Sequence, residues 1–316
     1  AYQKRAPDTA KWLIGLARES NRRLMVRLVK GAYWDAEIKH AQELGLESYP
    51  VYTRKANTDL CYQHCAGILL DAEKEIYPQF ATHNAYTASM ILELAGDRQF
   101  EFQRLHGMGH ILYAQLGEQV SDRQLQVRVY APIGNHKDLL PYLVRRLLEN
   151  GANSSFVNRF LDHQTPVEEL LEDTRDQVTA SFPYQHKMIP LPEQMYKAAG
   201  EKRKNTSGID LDGPLETAAL LETINQTPLM NSHPIIDGEE VEGTEQENQL
   251  QQAFNPTDQQ QLIGHSSNAS EADITRALES AHSAQPAWNS LGHSARADIL
   301  DKVADLMERD CTRLMG

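Results

Sequence analysis

Four times in its first 150 residues the chain passes from a short apolar run to a longer stretch of helical periodicity. The runs are LMVRLVKG (24–31), YPQFATHN (77–84), QFEFQRLHGMG (99–109) and VRVYAPIGNH (127–136). Between them lie helical patterns. Pro7 opens one that runs through Ser20, proline being tolerated in a first turn. Asp35 reads as the N-cap of the next and Gly45 as its end. Residues 55–72, AYTASMILELAG, a short helix to Gly117, and KDLLPYLVRRLLENG ending at Gly151 follow. Strands separated by helices pair in parallel and carry those helices on the sheet.

Two architectures satisfy that alternation, an open doubly wound sheet and part of a (β/α)8 barrel. No Gly-x-Gly-x-x-Gly follows any of the four runs, which weakens the nucleotide-binding open sheet. Polar residues gather at the strand ends, where barrel chemistry sits. A complete barrel needs roughly 250 residues, so about half of one is expected here.

After residue 160 the pattern changes. Residues 161–235 read as a linker with short helices, proline-interrupted in FPYQHKMIPLPEQMY and glycine-rich in GEKRKNTSGIDLDG. From residue 236 to 316 a new domain begins. HPIIDGEEVEG reads as a hairpin and AFNPTDQQQLIGHS as strand–turn–strand. Ser270-x-x-Asp273 starts a helix through about Ala284. SARADILDKVADLMERD is a second helix with Ile299, Val303, Leu306 and Met307 on one face.

A formal charge of −13 argues against phosphate-backbone binding through this segment. There is no apolar run long enough to span a bilayer and no signal-peptide pattern at the start. Three cysteines among 316 residues point to a reducing, cytoplasmic compartment. The first residue is Ala1, not Met, and Gly316 follows an uninterrupted helical pattern, so a piece of a longer protein is expected.

Candidate chemistry concentrates at the strand ends. Arg27 lies inside a strand whose two faces are expected to be covered, and needs an anionic or electron-rich neighbour there. A structural salt bridge would also serve. Lys30 and Gly31 close that strand, the glycine allowing close approach to the backbone. Tyr33 and Trp34 offer flat surfaces for a ring system, or for helix–sheet packing. Thr82, His83 and Asn84 end the second strand, and Tyr130 the fourth. On the last helix Tyr142, Arg145, Arg146 and Glu149 share one face. That face is either solvated or an anion clamp in which two arginines grip one carboxylate. Cys61, His64 and Cys65, and His106 with His110, have metal-like spacings without a fourth ligand, so packing is the reading preferred and no metal is expected. Cys311 lies on a plain amphipathic helix.

Taken together, RLVKGAYWDAEIK, YPVYTRK, YPQFATHNA, FQRLHGMG, RVYAPIGNH and YLVRRLLENGANSSFVNRF resemble the proline dehydrogenase barrel of the bifunctional proline utilization A family. The likeness is nearly continuous over about residues 1–160. FNPTDQQQLIG and PAWNSLGHSARADILDKVADLMERD resemble the N-terminal edge of an aldehyde dehydrogenase domain, of Rossmann-type α/β class. The resemblance implies the C-terminal half of a TIM-like barrel, a linker, and a truncated second domain. It implies FAD-dependent oxidation of L-proline to pyrroline-5-carboxylate. In the intact protein this is coupled to NAD-dependent oxidation of glutamate semialdehyde to glutamate, with the NAD site outside this segment. It places Arg27 at the reactive edge of the flavin and Lys30, Gly31, Trp34, Thr53, Thr82 and His83 along the cofactor. Arg145 and Arg146 would hold the proline carboxylate, Tyr130 would pack on its ring, and Glu149 would support the arginines or the flavin. It further implies a membrane quinone as electron acceptor, met by transient association at the inner face of the bacterial membrane, and a homo-oligomer when intact. Two alternatives stand beside this: a barrel lyase or aldolase using Lys30 as a Schiff base, and a segment inactive by itself.

Overall fold

The computed structural model describes residues 1–120, 124–151, 173–241 and 250–315, the side chains of residues 147–151 excepted. The chain forms two compact units, Ala1–Ile209 and Asp210–Gly316.

In the first unit α1 (Ala6–Glu19) precedes β1 (Leu24–Leu28), followed by α2 (Trp34–Leu44) and α3 (Lys55–Asp71). Next come β2 (Ile76–Ala81), α4 (Ala85–Ala95), β3 (Glu101–Leu105), α5 (His110–Gln119), β4 (Val127–Tyr130) and α6 (His136–Gly151). The strands form one sheet in the order β1-β2-β3-β4, every pair parallel. The fold is thus α/β with a parallel sheet, and the order runs through these four strands without a reversal.

Register explains what each face does. Leu24, Val26 and Leu28 lie opposite Ile76, Pro78 and Phe80, and Phe80 opposite Phe102. This face meets the helices in a core containing Ile14, Tyr62, Leu69, Leu70, Ile76, Phe80, Ile91 and Phe102. Phe100 stands edge-on to both Phe80 (5.6 Å) and Phe102 (5.1 Å). Burial of each large side chain contributes about 1.5–3 kcal/mol, which makes this layer the main support of the unit. The other face is polar: Arg27 pairs in register with Gln79, Gln79 with Glu101, and Gln103 with Arg128.

That polarity corrects one expectation. Arg27 is exposed, because the helices pack on the opposite face of the sheet. Helix starts also differ slightly. α2 begins at Trp34 with Tyr33 as N-cap and no side-chain cap, so Asp35 sits inside its first turn, where its charge favours the helix dipole. Gly45 ends α2 in the left-handed conformation (φ 65°) that glycine adopts without strain. Residues 173–209 contain the helix Thr174–Ala180 and short turns at Pro192–Gln194 and Met195–Ala198. Gln63 on α3 donates to Thr174 Oγ1 (2.9 Å), and the Gly208 N–H donates to the Gly45 carbonyl (2.9 Å).

In the second unit, Ile235–Ile236 and Glu239–Glu240 pair antiparallel around Asp237-Gly238, both at positive φ (60° and 82°) as such a tight hairpin requires. Gln251–Phe254 and Leu262–Ser266 pair antiparallel, and Met230–Ser232 adds in parallel. Ser270 and Asp273 form a reciprocal capping box for the helix Glu271–Ser290. That helix runs past the expected end near Ala284, through Pro286, and a second helix spans Gly292–Arg309. Among the described residues no helix is long and apolar enough to cross a membrane.

Candidate active site

The C-terminal ends of β1, β2 and β4 and one side of α6 enclose a cleft of ≈ 510 Å³. Arg27, Gly31, Thr82, His83, Tyr130 and Arg146 all line it, six residues drawn from four separate stretches of the chain. Tyr2, Tyr33 and Tyr142 complete an aromatic rim. At and beside the cleft, arginine pairs with an aromatic face at three places among the described residues. The guanidinium carbon lies 5.1 Å from the Tyr130 ring for Arg27, 4.5 Å from Tyr33 for Arg145, and 5.1 Å from Tyr142 for Arg146. The buried Nε of Arg145 has no hydrogen-bond partner among the described residues. A buried donor left so has the capacity to bind an acceptor atom that these residues do not supply.

His83 is held in its neutral form. Its Nε2 accepts the backbone N–H of Leu105 at 3.2 Å, so that nitrogen carries no proton. Burial, then the nearby charges of Arg146, Arg104 and Arg27, push its pKa below 6.5. Gly109, at φ 68°, lets the imidazole edge approach: a Cβ there would stand 2.9 Å from His83 Cδ2. Thr82 is buried, its carbonyl accepting from the Tyr113 hydroxyl (2.8 Å) and its Oγ1 from the Asn84 N–H (3.1 Å). Gly31, at φ 115°, faces the Tyr2 ring so closely that a Cβ would lie 1.4 Å from it.

Other expected residues lie elsewhere. Lys30 does not line the cleft. Its ammonium reaches Asp59 (2.5 Å) and Thr87 (3.1 Å) and stands over the Tyr62 ring, in the helix layer. Burial lowers its pKa, while Asp59 raises it. Trp34 donates from Nε1 to the Tyr52 carbonyl (2.7 Å) and packs on the small cluster of Ile38, Ala41, Leu46, Tyr49 and Val51. Thr53 accepts the His186 N–H (2.9 Å) and borders a separate cavity of ≈ 210 Å³. The Glu149 side chain is outside the described residues. Cys61 and Cys65 are buried in the α3 core while His64, His106 and His110 are exposed. No three His, Cys, Asp or Glu side chains converge among the described residues.

Sequence reasoning missed a polar belt beside the cleft. Arg27 Nε donates to Gln103 Oε1 (2.9 Å), and Gln103 Nε2 donates to Glu101 Oε1 (2.9 Å). Gln79 also donates to Glu101 Oε1 (2.8 Å), and Arg128 grips both carboxylate oxygens (2.6 and 2.7 Å). The Arg128 hydrogen bonds hold the Glu101 carboxyl below its usual pKa. The signal was present. Gln79, Glu101, Gln103 and Arg128 are polar at alternate strand positions, where a parallel strand covered on both faces would be apolar.

Cations stacked on aromatic rings line the C-terminal ends of parallel strands, the place where α/β barrel enzymes carry their chemistry. Residues 1–159 match the proline dehydrogenase family and residues 243–316 the aldehyde dehydrogenase family. The chain belongs to the proline dehydrogenase family. Bifunctional protein PutA of Klebsiella aerogenes is 45% identical over 332 residues, covering 100% of this chain and 24% of its own length. A Bradyrhizobium japonicum proline utilization A structure shares 48% identity with a TM-score of 0.65, covering 74% of this chain and 23% of that one. The proline utilization A of Bdellovibrio bacteriovorus, inactivated by N-propargylglycine, covers 99% of this chain and 31% of its own, at 28% identity and TM-score 0.72. The chain thus spans about a quarter of the length of the curated relatives it matches.

Proposed function

We propose that residues 1–160 are the C-terminal half of a (β/α)8 barrel that, in the intact protein, oxidises L-proline to pyrroline-5-carboxylate with FAD. The sequential parallel order β1-β2-β3-β4 supports a barrel, since a doubly wound sheet reverses its order at a switch point. The observation that carries the reading is the convergence of Arg27, His83, Tyr130 and Arg146 on one cleft.

The residues present fit such a ligand pair. The unpartnered Arg145 Nε and the adjacent Arg146 offer forked donors to a carboxylate, which lysine cannot reproduce. Tyr130 gives the proline ring an apolar face. Arg27, Gly31, Thr82 and His83 would hold the flavin, with Glu149 as support from α6. When bound, FAD supplies the acceptor for the hydride that leaves the substrate ring. Arg27 places a fixed positive charge where negative charge then accumulates. The two arginines orient the substrate by its carboxylate, turning binding into alignment. His83, neutral, fills its place without adding a fourth cation to the cluster. Lys30, Trp34 and Thr53 stay in the proposal through the resemblance alone, since each is committed to a protein partner. Residues 161–235 would link the barrel to an aldehyde dehydrogenase domain that starts near 236 and uses NAD. A membrane quinone, reached by transient surface association, would take the electrons. The Schiff-base alternative finds no support, because the Lys30 ammonium is bound by Asp59 and Thr87 away from the cleft.

The test is direct. The full-length protein that carries this segment, purified after expression with ample riboflavin, should be yellow and bleach on addition of L-proline. A colourless protein indifferent to proline would overturn the proposal.

A further inference from the structure

The group that meets Arg27 is an amide, and the nearest carboxylate of the belt stands one partner further off, already gripped by Arg128. We infer that Gln103 is a positioning residue that aims the Arg27 guanidinium into the cleft while leaving its charge uncompensated, with Glu101 fixing which way the amide points. The inference rests on the flavin reading above.

Hydrogen-bond chemistry makes the amide orientation unambiguous. Glu101 can only accept, so the Gln103 Nε2 must face it and Oε1 must face Arg27. Gln79 and Arg128 saturate the same carboxylate, so Glu101 has little freedom to move. The Glu101 side chain is 5% exposed and Gln103 is 6% exposed, so the relay is rigid and partly shielded from water. Engaging Arg27 through Nε leaves its two terminal nitrogens free of that bond on a side chain that lines the cleft, and no carboxylate pairs with them among the described residues. Tyr130 stacks on the guanidinium and fixes its plane. Glu101 is neutralised by Arg128, so its field at Arg27 is weak. A carboxylate at position 103 would instead cancel the Arg27 charge by direct contact. The strand therefore carries glutamine where glutamate would make the stronger bond, which is what a cation meant to stabilise a reduced, electron-rich ring needs.

The test uses the full-length flavin-loaded protein and two variants, Q103E and the swap E101Q/Q103E. The swap keeps the total charge of the pair and moves the carboxylate next to Arg27. It covers the case in which Q103E fails to fold because two carboxylates are crowded together. In either variant the flavin midpoint potential should move to more negative values with flavin content retained. The kcat for proline should fall roughly tenfold, the scale of one hydrogen bond to a charged group. The KM for proline should stay within about twofold, because the carboxylate clamp is on α6. A midpoint potential unchanged in flavin-loaded variants overturns the inference and leaves the proposed function standing. Variants that fold but lose flavin also overturn it, since Gly31, Thr82 and His83 still line the cleft and a role confined to the direction and charge of Arg27 predicts an altered potential in a flavin-loaded protein. A wild-type protein without flavin removes both.

Discussion

The Leu105 backbone N–H donates to His83 Nε2 across 3.2 Å, joining the end of β3 to the end of β2 inside the cleft. The bond exists only while that nitrogen is unprotonated. Burial and three arginines hold the His83 pKa below its ordinary 6.5. The unfolded chain therefore binds the proton first as pH falls. Stability from this group is complete above about pH 6.5 and is lost as pH drops toward the folded value. Thermal unfolding measured from pH 7.5 to 5 should show Tm falling below pH 6.5, and His83→Gln should flatten part of that slope. A variant profile that overlays the wild type would refute it.

Arg145 packs on Tyr33 with a buried Nε that lacks a partner. In the full-length protein Arg145→Met should raise the KM for proline by about 10- to 100-fold, the worth of one or two hydrogen bonds to a charged group. Flavin absorbance should be unaffected. Steady-state kinetics with a flavin spectrum of the same sample decides the matter, and an unchanged KM would count against the clamp.

Gly31 combines φ 115° with a Tyr2 ring 1.4 Å from where a Cβ would sit. Gly31→Ala must both strain the backbone and expel Tyr2 from the cleft rim. Urea unfolding should show a loss on the order of 1–3 kcal/mol from strain alone. A variant as stable as the wild type would mean that Tyr2 has room to move aside.

Phe102 is fully buried between Phe100, Phe80 and Tyr113. Phe102→Ala should lower stability by about 3–5 kcal/mol through lost burial and the cavity left behind. The denaturation midpoint is expected to shift while the slope stays the same. A shift below about 1 kcal/mol would show that the core collapses to fill the space.

Local chemistry made much of this legible. Gly45 as a helix end, the Asp237-Gly238 hairpin and the Ser270–Asp273 cap depend on a few neighbouring residues, and all three form as read. The α2 start lies two residues earlier than read, at an N-cap of Tyr33 and not Asp35, because Tyr33 caps it by backbone geometry alone and offers no side-chain signature. The strand-end positions of Arg27, Thr82, His83 and Tyr130 followed from counting along each strand, and these residues do meet in one cleft.

What the sequence by itself determined is the alternation of strand and helix, hence the parallel sheet, and the set of cations and aromatics at its strand ends. These follow from periodicity, which is a property of neighbours along the chain. Only the tertiary structure decided where the side chains point. It turned Lys30 toward Asp59, set Trp34 on the Tyr52 carbonyl, and made Glu101 the hub that joins Gln79, Gln103 and Arg128. Those choices depend on register between strands more than 20 residues apart. A shift of one residue in register would put the same polar side chains on the apolar face and abolish the belt.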